Sequence, residues 1–508
     1  MYTASENAAT ILIVLIALGI LGWGYYRARP LGKLGILAWL QSVSLMAPWL
    51  IFFGLFAAGI YLNLASILFL LVASAGLYIF LGNRLRAASQ DASVRAQLET
   101  LLKSEEKTTS TEENTGQEVT NTTAPTAEEE RDKITPIITP IPAEELKTIQ
   151  GIFGIDTFFV TETISYQDGA IFKGNLRGEP ETVYARLSEK LQEHFGERYR
   201  LFLVPNQDDK PVVIVLPSTN DPKPLTVFQK IIAAVLFLAT IATTLEASGL
   251  MLGFNFFNNI SRFPELLPIS SGIWAVLLAH EIGHQVMAKR HQVRFSWPFF
   301  IPTWQIGSFG ALNRFESLLP NRKVLFDVAF AGPAAGGLVS LGMLITGLLL
   351  SHPGSFFQIP SQLFKGSLLV GALAKVVLGP ALQQPVVDIH PLAALGWLGL
   401  VLTAINLMPA GQLDGGRIVQ AIYGRKIATR TTIATLILLA IASLANPVAL
   451  YWASVILFLQ RNLERPTLND LTEPDDARAA LGLLALFLTV AVLLPFTPGL
   501  AGRLGIGG

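Results

Sequence analysis

A chain of 508 residues that is 51% hydrophobic and 15% charged, with a formal net charge of zero, is too apolar for an ordinary soluble protein of this length. No basic stripe interleaved with aromatics points to nucleic acid. The absence of cysteine excludes disulfides, thiolate zinc sites and a cysteine nucleophile, and leaves histidine and carboxylates to hold any metal.

The apolar residues are gathered into runs that match a bilayer core, so the chain is expected to span a membrane repeatedly. The first run is roughly Thr10–Tyr26. It has no Lys or Arg before it, and Arg27, Arg29 and Lys33 follow. That order suits an uncleaved helix with its N-terminus outside, not a secretory signal. Further runs fall near Leu34–Ile60 and Leu64–Leu81, and Arg84 and Arg86 mark a return inside, which makes 1–86 a three-span region. Residues 87–142 form a linker whose Ser104–Asp132 stretch, rich in Thr and Glu, is expected to be disordered.

Residues 143–224 read as a small soluble α+β domain. Thr157–Ile164 and Ala170–Leu176 predict two strands about Gln167-Asp168-Gly169, and Pro180–His194 an amphipathic helix. Arg200–Val204 and Pro211–Leu216 predict two more strands. A second membrane block, 225–464, follows, with a linker and last span over 465–508. Its candidate spans are Val227–Glu246, Ile269–Ala288, Val324–Leu350, Pro391–Ala410, Thr431–Ala445 and Val448–Leu459, with Ala479–Leu494 last. Lys289, Arg290, Arg294, Arg322, Lys323, Arg417, Arg425, Lys426, Arg430, Arg461, Arg465 and Arg478 all land on one face if Asn446-Pro447 is an outer turn. About ten crossings result, and Phe364–Ala381 is an outer segment that could dip into the bilayer.

Residues 280–284 read His-Glu-Ile-Gly-His. On a helix His280 and His284 are one turn apart on one face, so both imidazoles reach a single ion. Glu281 sits beside them as a base for water. Zinc suits this set, and ionisable residues inside a span are usually functional. The third ligand is sought in Asn406-Leu-Met-Pro409-Ala-Gly411-Gln-Leu413-Asp414-Gly415-Gly416-Arg417. Asp414 falls at the same membrane face as His284. Pro409 and Gly411 break the helix, and Gly415-Gly416 let the backbone turn tightly around the carboxylate. Asn406 either donates to the oxyanion of a tetrahedral intermediate or ties two helices together.

An HExxH on a membrane helix followed by Asn-x-x-Pro-x-x-x-Leu-Asp-Gly resembles the site-2 protease family of intramembrane zinc metalloproteases. Gly174-Asn175-Leu176-Arg177 is similar to a signature of its chloroplast and cyanobacterial branch. The resemblance implies one Zn2+ per chain held by His280, His284 and Asp414, with Glu281 as base. It further implies a membrane-embedded β-hairpin over Phe295–Pro320, whose Gly307 and Gly310 are substrate-binding candidates on an edge that could pair with extended substrate. The expected fold is thus a polytopic α-helical membrane protein with a re-entrant β-hairpin and a small soluble α+β domain. Partners would be the lipid bilayer and single-span membrane protein substrates, trimmed beforehand on the outer side. The membrane would be a cyanobacterial plasma or thylakoid membrane, with the soluble domain on the positive, cytoplasmic side.

Ala331-Gly332-Pro333 with Gly336-Gly337 predicts close helix packing. His390 reads as a helix-start contact, and His291 as a surface residue. His194 and His352 have no partner in sight, and Glu246 and Asp327 read as span-end residues within reach of water. Two rivals stand against the protease: a cytosol-facing membrane zinc protease with a Glu third ligand, and a transporter or non-catalytic assembly factor on the same fold.

Overall fold

The computed structural model describes residues 32–57, parts of 22–29 and 70–85, and 141–506 apart from 167, 207 and 445. It divides into Met1–Thr135 with Leu439–Trp452, and Pro136–Leu438 with Ala453–Gly508. In the first unit, helix α1 (Gly32–Ala57) occupies the second expected span. Most of the expected spans Thr10–Tyr26 and Leu64–Leu81 and of the linker 87–142 lies outside the described residues.

In the second unit, α2 (Ala143–Ile152), β1 (Phe158–Tyr166), β2 (Gly169–Leu176), α3 (Pro180–Phe195), β3 (Tyr199–Pro205) and β4 (Pro211–Pro217) form an antiparallel sheet of order β1-β2-β4-β3 covered by two helices. Each predicted strand and the predicted helix coincide with one of these elements to within a few residues. Val183, Leu187, Leu191 and Phe195 recur every fourth residue of α3, so the helix buries one face. That face meets Phe158, Phe172, Leu203 and Val213, each worth ~1.5–3 kcal/mol once fully buried. Gly174 lies opposite a bulge between Val160 and Glu162, where a β-carbon would stand 2.2 Å from the Phe159 carbonyl oxygen.

The membrane core follows: α4 (Val227–Met251), α5 (Phe263–Arg290), β5 (Phe299–Thr303), β6 (Gly307–Leu312) and α6 (Arg322–Leu349). Then come β7 (Phe357–Pro360), α7 (Leu368–Leu378), β8 (Val386–Ile389), α8 (Pro391–Asn406), α9 (Asp414–Ala442) and, towards the end, α10 (Asp476–Leu493). Four helices among the described residues are long and apolar enough to cross a membrane: Val227–Met251, Ile260–Arg290, Arg322–Leu349 and Asp476–Leu493. At 1.5 Å per residue the 28-residue α5 is about 42 Å long, beyond the ~30 Å of a hydrocarbon core. Pro391–Asn406 and Val448–Gln460 are shorter apolar helices. Of the stretch read as Thr431–Ala445, residues 431–442 are the second limb of α9, which breaks at Gly424 with φ 79°. α7, within the stretch read as an outer segment, has 11 residues.

Glycines let α5, α6 and α8 close up, as expected of the Ala331–Gly337 stretch. A β-carbon on Gly283 would stand 2.4 Å from the Ala331 oxygen, and one on Gly396 2.2 Å from the Leu344 nitrogen. β5 and β6 pair as an antiparallel hairpin, and Phe237, Trp274 and Phe300 cluster where it meets α4.

One short segment joins the sheet to the core. Leu203 N–H donates to Leu468 O and Asp470 N–H to Leu203 O, while Leu468 N–H donates to Leu319 O and Asn469 N–H to Pro320 O. Residues 468–470 therefore bridge edge strand β3 and the approach to α6, Asn469 forming isolated parallel bridges with Leu203 and Asn321. The outer face of the sheet, with Phe202, Val204 and Val212, packs on Leu318 and Leu468.

Candidate metal centre

Two donors come from α5. Pro264 opens the helix, Glu265 faces its positive end, and Lys289 and Arg290 face its negative end. The four-residue spacing then stacks His280 and His284, whose Nε2 atoms lie 3.1 Å apart. Asp414, at the first position of α9, brings Oδ2 to 3.1 Å from His280 Nε2 and 3.3 Å from His284 Nε2. All three are buried, and they are the one such trio among the described residues. His284 Nδ1 donates to the Val328 carbonyl at 2.8 Å, which leaves its Nε2 with a lone pair. A carboxylate oxygen and imidazole lone pairs aimed at one point repel each other unless a cation sits there. An N, N, O donor set at this spacing fits zinc, whose bonds to such ligands are ~2.0–2.2 Å. Among the described residues the third donor within reach of both imidazoles is the aspartate, and no glutamate belongs to the trio.

The packing glycines serve this centre directly. A β-carbon on Gly332 would fall 2.2 Å from His284 Nε2, and one on Gly336 3.1 Å from the His280 β-carbon. Gly411 has φ +51° and would place a β-carbon 1.6 Å from the Gln460 oxygen, so the loop between α8 and α9 requires glycine there. Gly415 and Gly416 differ from expectation. They are helical, in the first turn of α9, and what they supply is room: their β-carbons would meet Leu407 O at 1.9 Å and Gly411 O at 2.3 Å.

Glu281 is buried beside the trio and accepts a hydrogen bond from Asn313 Nδ2 at 2.7 Å. Asn406 Nδ2 donates to Leu402 O at 3.1 Å. It lines one small cavity with Asn313, Leu413 and Asp414. Gly307 (φ +87°) and Gly310 (φ +96°) are both buried. Gly307 packs on Thr244 and accepts from Thr243 Oγ1 at 2.6 Å, and Gly310 packs on Asn406. These two therefore seat the hairpin against α4 and α8.

Arg417, counted among the inner-face charges, is instead buried. It donates to Glu464 at 3.0 Å and to the Asn313 carbonyl at 2.6 Å. Arg322 is likewise buried and donates to the Ala421 and Ile422 carbonyls. Glu246 is wholly buried away from water and accepts from Asn255 Nδ2 and Phe256 N–H. Asp327 and His291 pair at 2.9 Å, and Arg478 grips Asp327 with two nitrogens. His390 caps α8, its Nδ1 accepting from Leu392 N–H. His352 Nδ1 donates to the Pro353 carbonyl, and His194 lies edge-on to Phe195. Asn313 and Glu464 escaped the sequence reading, because a single polar residue leaving a strand, or a glutamate among arginines, has no motif to mark it.

Residues 269–445 match peptidase family M50, and residues 147–223 match the EGY3 middle domain. The chain is 38% identical over 371 residues to "Probable zinc metalloprotease EGY2, chloroplastic" of Arabidopsis thaliana, covering 72% of this chain and 67% of the relative. It is 37% identical over 404 residues to "Probable zinc metalloprotease EGY1, chloroplastic" of the same plant, covering 72% and 74%. For "Probable zinc metallopeptidase EGY3, chloroplastic", also from that plant, the identity is 33% over 386 residues, covering 70% and 66%. The chain thus spans about two thirds to three quarters of the length of these relatives. No solved structure matches it.

Proposed function

The chain belongs to peptidase family M50, and from that premise we propose that it is an intramembrane zinc metalloprotease that hydrolyses peptide bonds in the transmembrane segments of other membrane proteins. One observation carries this reading: His280 and Asp414, 134 residues apart in sequence, bring donor atoms to 3.1 Å in a buried setting with Glu281 alongside. His280, His284 and Asp414 would hold the zinc. When bound, the metal supplies Lewis acidity towards a peptide carbonyl and lowers the pKa of water to ~7. Glu281 stays outside the ligand set, takes a proton from the attacking water and returns it to the departing amine. The second N–H of the Asn406 amide is free of the Leu402 bond and stabilises the oxyanion.

A helical substrate hides its amides, so it must be extended before attack. The β5–β6 hairpin supplies a template: β6 packs against α5 and α8 and leads into Asn313, which touches Glu281. In this reading the hairpin re-enters the membrane within a scheme of about ten spans. Substrates are single-span proteins already trimmed on the outer side. The protein lies in a plasma or thylakoid membrane of cyanobacterial type, with the soluble domain on the positive side, where it screens or recruits substrates.

The test is zinc content together with cleavage of a membrane-spanning peptide by the purified protein and its Glu281→Gln form. Zinc in both, with cleavage by the first alone, is expected. A transporter would tolerate Glu281→Gln, and equal cleavage by both forms refutes the assignment. For the soluble domain, alanine at the exposed Asn175 and Arg177 should change the preference between two model substrates. Unchanged selectivity counts against recruitment through that surface.

A further inference from the structure

We infer that Asn313 is a positioning residue for Glu281, held in register by the buried pair Arg417–Glu464. The inference rests on Glu281 acting as the base. A base that serves both steps must keep one orientation while the metal ligands on its own helix stay fixed, and α5 alone does not set the end of a glutamate side chain. Asn313 does: its Nδ2 meets Glu281 Oε2 at 2.7 Å from a different element, the exit of β6. Asn313 Oδ1 is buried and has no hydrogen-bond partner among the described residues. The side chain thus leaves an acceptor unsatisfied in order to present its donor to the carboxylate, which is uncommon for a buried amide.

The backbone of Asn313 is fixed in turn. Its carbonyl accepts from Arg417 Nη2 at 2.6 Å, and Arg417 Nε and Nη2 each lie 3.0 Å from Glu464 Oε2. Arg417 Nη1 also lies 3.8 Å from Asp414 Oδ1. The guanidinium stands over Phe315, 5.2 Å from the ring centre. Arg417 is 2% exposed and Glu464 7%. Ion pairs buried this deeply are weak evidence for stability and better understood as fixing one arrangement among several. Here the arrangement fixed is that of the base relative to the third ligand, because one guanidinium reaches both the Asn313 backbone and the Asp414 carboxylate.

The experiment uses the full-length, zinc-loaded protein and a membrane-spanning peptide. Asn313→Ala should retain one zinc per chain and lower kcat about 10–100-fold with little change in KM, the usual cost of losing such a partner. Asn313→Gln, which keeps a donor, should recover part of that loss. Arg417→Lys should lower kcat in the same way, and Arg417→Lys with Asn313→Ala should be no slower than Asn313→Ala alone. A second readout needs no activity: Asn313→Ala should lower Tm in the parent chain and lower it far less in a Glu281→Ala background. Unchanged kcat, lost zinc, or equal Tm shifts in the two backgrounds would each overturn the positioning role. A parent chain that binds zinc and cleaves nothing, with the Tm coupling intact, instead overturns the protease reading on which the role depends.

Discussion

Gly332 of α6 lies against the imidazole of His284, so close that one added methyl would stand 2.2 Å from Nε2. A helix in the second rank of the site thereby sets where the first-rank ligand sits. Gly332→Ala should push His284 off the shared point, weakening zinc binding about 10–100-fold and costing ~1–3 kcal/mol of stability through overpacking. Metal analysis after gel filtration, with thermal unfolding, tests this; full zinc occupancy at the parent Tm would show that the ring has slack.

Asp414→Ala and Glu281→Gln should separate. The first removes a donor that faces both imidazoles and should strip the zinc. The second keeps the metal and should lower turnover about 10²–10⁴-fold, the range of lost general acid–base catalysis. Zinc retained by Asp414→Ala would reopen the question of the third ligand.

Gly411→Ala should be poorly tolerated for a reason unrelated to chemistry. The residue is in the left-handed region and abuts the Gln460 carbonyl, so strain alone costs ~1–3 kcal/mol before the clash is counted. Loss of folded protein in detergent, read by size-exclusion yield, is the expected outcome; Gly424→Ala shares the positive φ but has open space around it and should be milder.

The α+β domain carries its own pH signature. Tyr199 donates to Glu145 at 2.5 Å, and burial together with that carboxylate pushes the phenol up to about 12. A raised folded pKa stabilises below the ordinary value near 10, and that contribution is lost as pH climbs through 12. Glu145 is held below its ordinary value by bonds from Tyr199 and Arg198, so its contribution is present above about 4.5 and fades as pH falls through the lowered value. Unfolding of the full chain between pH 9 and 12 should be flatter for Tyr199→Phe. Identical alkaline profiles would remove this pair from the account.

Periodicity and spacing revealed a good deal of this. The i, i+4 histidines, the aspartate that meets them and the strands of the α+β domain were all legible, because each follows from a local repeat or a short motif. What escaped was tertiary. Arg417 and Arg322 looked like interfacial cations because a side chain's partner is not written beside it in sequence; both turn inward to carbonyls or a carboxylate supplied from far along the chain. Glu246 appeared wet and is dry for the same reason. Gly415 and Gly416 resembled a flexible turn, whereas close approach to Leu407 and Gly411 is what excludes a side chain from them. Asn313 acquires meaning only once the hairpin is folded back onto α5.

The segment at residues 468–470 has main-chain partners on both sides, so the α+β sheet is tied to the helical core by backbone hydrogen bonds. Glu464 lies four residues from Leu468, about 14 Å of extended chain at most. Traction on the sheet, such as a captured tail being drawn in, would therefore arrive within one short stride of the arginine clamp. Excising residues 143–218 would also strip one bank of that segment and leave unpaired main-chain groups prone to sticking to other chains. A truncated protein would then report on its own adhesiveness before it reported on substrate choice.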